Sequence, residues 1–231
     1  MNDTCYILMW LEGPLQSWGF DSRFSSKNTL DFPTKSALLG MLCCALGAGG
    51  EQTEWLSIMA PLSTTVLAYS KNQNTPLLKD FHMVGSGYNR ENSFESKMLP
   101  KTADGKNPTN GGAKLTYRYY LQDAIFSAIL EVPKCQSEEL AMALVNPVWD
   151  LSLGRKNCVP TDFIYRGTFQ TEEKAVAAAK VIANEKSLTE RFNARDGQHN
   201  TGEILVLNDV PIQFGQNKRY KQRYVTINYK Q

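Results

Sequence analysis

Few side chains in this sequence are suited to proton or metal chemistry. It has two histidines, His82 and His199, and five cysteines, Cys5, Cys43, Cys44, Cys135 and Cys158. The cysteine number is odd, no C-x-x-C occurs and two are adjacent, which argues against a zinc site and against a disulfide framework. Such thiols fit a reducing cytoplasm, where they pack as small hydrophobes. We therefore expect no metal and no cofactor. His82 sits in Lys79-Asp80-Phe81-His82-Met83 on an expected strand, where a lone histidine is more often a hydrogen-bonded structural residue than a base. His199 lies in a polar turn. With Tyr88 nearby, His82 keeps open the alternative of a metal-independent endoribonuclease that uses it as general acid or base. No third group is placed beside that pair. Nor is there a P-loop, H-E-x-x-H, G-x-S-x-G or G-x-G-x-x-G pattern.

Cations interleaved with aromatic rings are better represented. Residues 212–231 hold Lys218, Arg219, Lys221, Arg223 and Lys230, with Tyr220, Tyr224 and Tyr229 between them and no acidic residue. Cations neutralise phosphates and aromatic faces stack on unpaired bases, so this composition suits single-stranded nucleic acid. It equally suits a solvated strand edge protected by lysine. A second basic stretch carries Arg90, Lys97, Lys101, Lys106, Lys114 and Arg118 against Glu91, Glu95 and Asp104. Gly154-Arg155-Lys156 is a short basic turn whose glycine would let backbone N–H groups approach an anion. The net charge is only +2, so distribution rather than total must decide any role in binding phosphate.

The elements that must position these residues follow from pattern. The chain has 231 residues and 42% hydrophobic content, enough for a real core in one large domain or one domain with an appendage. The apolar run 5–11 reads as a buried strand, followed by a long polar and aromatic loop over 15–31. A helix is expected from about Thr34 to Gly47 or Gly50, a helical turn over 53–59 and a strand over 63–69. Residues 77–84 and 114–132 read as extended, with a glycine-rich and proline-rich connection between them. The expectation is a hairpin over about 79–122 with its tip in that connection. Helices are expected over 137–145, capped by Ser137, and 171–186, capped by Thr171. A closing strand pair is expected over 203–210 and 223–229. The longest apolar stretch, 37–48, is too short to span a bilayer, and the first residues lack the basic start of a signal peptide. We expect a cytoplasmic protein with no membrane contact.

Two motifs in the first fifty residues carry a resemblance. Gly13-Pro14-Leu15-Gln16-Ser17-Trp18-Gly19 follows the first strand, and Phe32-Pro33-Thr34-Lys35-Ser36-Ala37-Leu38-Leu39-Gly40 opens the helix. The pair resembles the signature of the Cas-five family of CRISPR-associated proteins, in the RAMP superfamily. Asp80-Phe81-His82, Arg118-Tyr119-Tyr120-Leu121-Gln122-Asp123-Ala124 and Leu153-Gly154-Arg155-Lys156-Asn157-Cys158 match further family patterns in the right order.

The resemblance implies an α+β chain: a ferredoxin-like (RRM-like) RAMP domain over 1–150 with a long β-hairpin thumb, and a small C-terminal β-containing portion over 151–231 packed on it. It implies a non-catalytic subunit of a type I-E CRISPR Cascade surveillance complex that captures the 5′ handle of the guide RNA (crRNA) and caps the backbone filament. Partners would be a CasC-type backbone subunit and a CasA-type large subunit, with target DNA met only through the assembled complex. On this reading Gln16, Arg23, Lys27, Lys35, Ser36, Arg90, Lys114, Arg118, Arg155, Lys156, Lys218, Arg219 and Arg223 contact RNA. Lys35 would offer its charge to a phosphate at the helix start. Trp18 either stacks on a base or fills the core beneath its loop. Family members of type I-C cut precursor RNA with a site that includes adjacent lysine and histidine. Here Lys79 and His82 are not adjacent, so cleavage through His82 stays the alternative.

Overall fold

A computed structural model describes residues 3–20, 22, 25–71, 77–84, 101–106 and 114–230. Its first strand, β1 (Thr4–Glu12), is buried on both faces. Cys5, Ile7, Met9 and Leu11 join the core on one face of the sheet, and Leu8 and Trp10 join a second core on the other. A strand buried on both faces needs a continuous apolar run, which is what the sequence supplies.

Among the described residues twelve further strands follow in chain order. β2 (Leu15–Gln16), β3 (Trp18–Gly19), β4 (Ser26–Lys27) and β5 (Thr29–Leu30) are two-residue pieces within the loop expected over 15–31. β6 is Thr64–Ser70, β7 Leu77–Val84, β8 Lys114–Gln122 and β9 Ile125–Pro133. β10 is Tyr165–Phe169, β11 Thr189–Asp196, β12 Glu203–Gln213 and β13 Arg219–Tyr229. The main sheet has seven strands in the order β10-β1-β9-β6-β11-β13-β12. Every neighbouring pair in it is antiparallel.

The helices α1 (Lys35–Leu46), α2 (Thr53–Met59), α3 (Lys134–Val145) and α4 (Glu172–Glu185) flank this sheet. Leu38, Leu39 and Leu42 of α1, Leu56 of α2 and Leu140 and Leu144 of α3 enter the first core. Ala175, Ala179 and Ala183 of α4 cover the second. α1 begins where expected, and of the two candidate caps, Thr34 and Ser36, it is Thr34 whose side chain accepts from the Ala37 N–H. It ends at Gly47, whose φ of 68° is the left-handed region. A Cβ there would also meet the Val148 side chain at 2.7 Å.

The extended run over 114–132 is two strands rather than one. Asp123, with φ 48°, breaks it, and its N–H donates to the Pro14 carbonyl at 3.0 Å. The break sends β8 away from the main sheet to pair with β7 from Leu77↔Leu121 to Val84↔Lys114. β2 and β4 also pair with β8, so a second small sheet stands on the first.

α3 starts three residues before the expected cap. Pro133 ends β9 and is itself the N-cap, so the helix begins at Lys134 and the Ser137 hydroxyl donates back to the Lys134 carbonyl at 2.8 Å. Proline's fixed φ suits that junction, and Glu138 and Glu139 consequently fall outside the first turn. The expected helix over 171–186 is α4, with Thr171 accepting from the Lys174 N–H at 3.4 Å. β10 and β11 were not anticipated. β10 buries no residue fully, and β11 buries only Phe192 and Ala194. Among the described residues no helix is long and apolar enough to cross a membrane.

Candidate nucleic-acid interface

The two loops that carry the most distinctive residues meet directly. The Ser17 N–H donates to the Leu153 carbonyl at 3.1 Å, and the Leu153 N–H donates to the Cys158 carbonyl at 2.7 Å. Gly154 has φ 95°, and a Cβ on it would lie 1.8 Å from the Ser17 carbonyl oxygen. Gly13 is hemmed in likewise, by the Val159 carbonyl oxygen at 2.7 Å. Both glycines are there because backbone must pass against backbone.

Gln16 locks this junction from inside. Its Nε2 donates to the Leu11 carbonyl at 3.0 Å and the Ala124 carbonyl at 2.6 Å. Its Oε1 accepts from the Trp18 indole N–H at 3.2 Å. Both side chains are fully buried. Of the two roles left open for Trp18, the structure gives the core, beneath the loop. Gln16, expected to touch RNA, instead fixes the path of the loop; a buried amide needs all of these partners.

Arg155 clamps the outer side. Its guanidinium lies 4.6 Å from the Tyr120 ring centroid and donates to the Tyr119 carbonyl at 3.3 Å and the Lys27 carbonyl at 2.7 Å. Asn157 adds a bond to the Tyr120 hydroxyl at 3.2 Å. The turn 154–157 is thereby tied to β4 and β8.

These contacts form one wall of an open groove of about 680 Å³. The exposed side of α1 is its floor, with Ser36, Ala37, Gly40 and Cys44, all small residues that leave room for a backbone to approach. The turn between β12 and β13 is the far wall, with Phe214, Lys218 and Tyr220, and Trp149 closes one end. Among the described residues, Lys27, Arg155 and Lys218 line the groove, and no carboxylate does. Burial, and then the neighbouring Cys44, pushes the Cys43 thiol up to about 11, so it is neutral at physiological pH. Burial, then Asp150, raises Cys44 as well. Thiols held neutral are poor nucleophiles. The groove can attract phosphate and offer ring faces.

Other expected site residues lie elsewhere. Lys35 is buried. Its Nζ donates to the Leu62 carbonyl at 2.5 Å and to Asp196 at 2.8 Å. Its backbone N–H donates to Asp209 Oδ2 at 2.8 Å. The anion at the start of α1 is thus a carboxylate of the chain itself, and the expected phosphate contact through Lys35 is corrected. Arg223 belongs to the same cluster, bound to Asp209 through Nε and Nη2, each at 2.7 Å, and to Asp196 through Nη1. It too faces inward. Burial works against its charge, but the hydrogen bonds it donates to Asp209 and the charges of Asp196 and Asp209 prevail and raise its pKa.

Arg219 donates twice to Gln213 Oε1, at 3.0 and 2.6 Å, across the base of the β12–β13 turn. Lys156 is exposed beside Arg155 and does not line the groove. Arg118 is half-buried on β8, in register with Asp80 on one side and Lys27 on the other. His82 is half-buried on β7 opposite Thr116, whose hydroxyl donates to the His82 carbonyl at 3.4 Å. Arg23, Arg90 and the Lys114 side chain lie outside the described residues. Trp149 was missed because nothing in its local pattern marks it; its ring lies beside Gly49, just beyond α1, and lines the groove.

Comparison with known proteins finds relatives along most of the chain. The family model described as CRISPR-associated protein (Cas_Cas5) matches residues 6–226. The chain is 27% identical over 209 residues to the CRISPR system Cascade subunit CasD of Escherichia coli (strain K12), covering 83% of this chain and 87% of that protein. Among solved structures it is similar to a chain of a CRISPR RNA-guided surveillance complex, with TM-score 0.74, 26% identity and coverage of 97% and 90%. A second, the crystal structure of a Cas protein, matches with TM-score 0.59, 25% identity and coverage of 97% and 94%.

Proposed function

Because the chain belongs to the Cas5 family of CRISPR-associated proteins, we propose that it is the guide-RNA-binding subunit of a type I-E surveillance complex, capturing the 5′ handle without cutting it. The observation that carries this reading is the groove along α1. Among the described residues it is lined by Lys27, Arg155 and Lys218 and by no carboxylate, in a chain whose net charge is only +2. A groove of one sign with small residues on its floor and Trp149, Phe214 and Tyr220 on its walls suits a single strand bound through phosphates and stacked bases.

On this proposal β1, α1, β6, β9, α3 and β10 form the ferredoxin-like unit. The order β10-β1-β9-β6 supports it, because the fourth and third strands of the unit flank the first. The β7–β8 hairpin is the thumb, and 151–231 contributes the basic turn and the strands that widen the sheet. The complex would include CasC-type and CasA-type neighbours, meet target DNA through base pairing by the guide, and work in the cytoplasm. His82 makes no side-chain hydrogen bond among the described residues that would orient it as a base.

The test is binding and integrity of labelled guide RNA. Lys27→Ala with Lys218→Ala should weaken handle affinity by about tenfold or more, with each lost phosphate contact worth on the order of 1 kcal/mol. The RNA should be recovered full-length. Cleavage of repeat RNA that persists in EDTA and disappears with His82→Ala would replace this reading with the endoribonuclease.

A further inference from the structure

Strand β12 is longer than its pairing with β13 requires. From Leu207↔Arg223 to Val210↔Lys221 it advances three residues while β13 advances two. From Pro211↔Tyr220 to Gln213↔Arg219 it advances two while β13 advances one. Each extra residue is a bulge, a device that bends a strand and re-aims a side chain. In a regular strand consecutive side chains alternate between faces. At the first bulge two in a row are buried instead: Asp209 is 4% exposed and Val210 3%. Val210 joins the first core, as an apolar side chain should. Asp209 is the residue whose burial needs another reason.

Its carboxylate holds three elements together. Oδ2 accepts from the Lys35 backbone N–H at 2.8 Å and from Arg223 Nη2 at 2.7 Å, and Oδ1 accepts from Arg223 Nε at 2.7 Å. The N–H opens α1, whose exposed side is the groove floor, while Arg223 stands on β13, which leads from the far wall. The second bulge does the same nearer the turn. Gln213, also buried, takes both bonds from Arg219, and the next residue, Phe214, donates its N–H to the Glu51 carbonyl at 2.9 Å. β12 is thus fastened at the start of α1 and again in the loop that follows α1. The turn that carries Phe214 and Lys218 is fixed against the floor it faces. Asp209 and Gln213 do not line the groove themselves.

We propose that Asp209, with Gln213 at the second bulge, is a positioning residue for RNA binding: it holds the far wall at the distance from α1 at which Lys218 on one side and Lys27 and Arg155 on the other grip the same strand. Two walls that must first be brought together lose binding energy to that ordering, and a wall fixed in advance does not. Asp209 acts a second way. By occupying the first N–H of α1 it closes the helix start to phosphate, which leaves the groove cations as the attraction for the strand. The inference rests on the reading of the groove as the RNA site, and adds which buried residues give the groove its width.

The experiment is a double-mutant cycle on handle RNA binding by the full chain, with Asp209→Asn and Lys218→Ala, over a series of salt concentrations below the melting transition. Lys218→Ala alone should lower affinity about fivefold and the salt slope by about 0.7. Asp209→Asn alone should do the same, although it removes no cation. Through charge alone the loss of a carboxylate would strengthen RNA binding, so the sign separates the two causes. With Asp209→Asn in place, Lys218→Ala should lower affinity by less than about twofold more, because the wall it stands on is already displaced. Lys35→Met is the control. It weakens the same ionic cluster but keeps the backbone N–H on Asp209, so Lys218→Ala should retain its full effect there. Gln213→Ala leaves the buried ions intact and decides the matter by the same cycle if Asp209→Asn does not fold. Additive losses, or a salt slope that Asp209→Asn leaves unchanged, overturn the positioning role while the groove stands. If the wild-type chain binds no handle RNA, or is indifferent to Lys218→Ala, the functional reading itself fails and the positioning role falls with it.

Discussion

Lys35 and Arg223 bring two positive charges into the interior, and Asp196 and Asp209 bring two negative ones. Their partners are distant in sequence: Lys35 meets Asp196 across 161 residues and Asp209 across 174. A lysine at a helix start reads as a phosphate ligand when only its neighbours in sequence are visible, and for that reason the sequence misassigned it. Removing one member of a buried ionic set leaves a charge uncompensated, at a cost of roughly 3–5 kcal/mol. Arg223→Ala should show the larger loss in urea denaturation, since Arg223 makes three of the cluster's side-chain ion contacts. Lys35→Met should show a smaller one, because Asp196 keeps Arg223. The pH dependence separates the two. Burial is the main cause of the lowered Lys35 pKa, which its carboxylate partners only partly offset. Below that lowered pKa the charged form is held in the fold at a cost. As pH rises through it toward the unfolded value near ~10.4, the unfolded state holds the proton that the folded state has lost, and stability from this group increases. The stability of the wild type relative to Lys35→Met should therefore be greater at pH 10 than at pH 8. An equal difference at both would remove Lys35 from the account.

Helix α4 shows which elements a sequence reveals. Thr171, the acidic first turn and the alanines at spacing four specify its start, its polarity and its buried stripe, and all are local. The same holds for β1 and α1, whose patterns are complete within a dozen residues. β11 is different. Its sequence Thr-Glu-Arg-Phe-Asn-Ala-Arg-Asp becomes a strand through pairing with β6 on one side and β13 on the other, neither of which is near it in sequence. The split between β8 and β9 was hidden for a related reason: the positive φ at Asp123 is held by the Pro14 carbonyl, more than a hundred residues earlier. The location of α4 gives a prediction about separable roles. Ala179 is fully buried against the face of the sheet opposite α1 and its groove. Ala179→Leu should overpack that core and lower stability by about 1–3 kcal/mol. Handle affinity measured well below the melting transition should not change. A parallel loss of affinity would mean that the second core controls the groove.

At the scale of the molecule, a net charge of +2 conceals a separation of signs. The groove walls gather cations from three distant segments, Lys27 of β4, Arg155 of the turn after α3 and Lys218 of the β12–β13 turn. The carboxylates Asp31, Asp123 and Glu203 collect at the foot of the hairpin. By composition the cations of residues 212–231 suit either nucleic acid or a solvated strand edge, yet of these basic residues only Lys218 lines the groove; Arg223 turns inward and Arg219 braces Gln213. Strand direction and register decide this, and neither is written in the order of charges. The separation has a quantitative consequence. For single-stranded nucleic acid the salt slope is about −0.7 per phosphate neutralised. Three groove cations then give a slope near about −2, or roughly a 20-fold loss of handle affinity between 50 and 200 mM salt. Lys27→Ala with Lys218→Ala should reduce the slope by about 1.4. Lys35→Met should leave it unaltered in protein that remains folded, because a lysine neutralised by Asp196 releases no counterion from RNA. If Lys35→Met lowers the slope as much as either groove lysine does, the buried cluster opens on binding and the groove as drawn is too small.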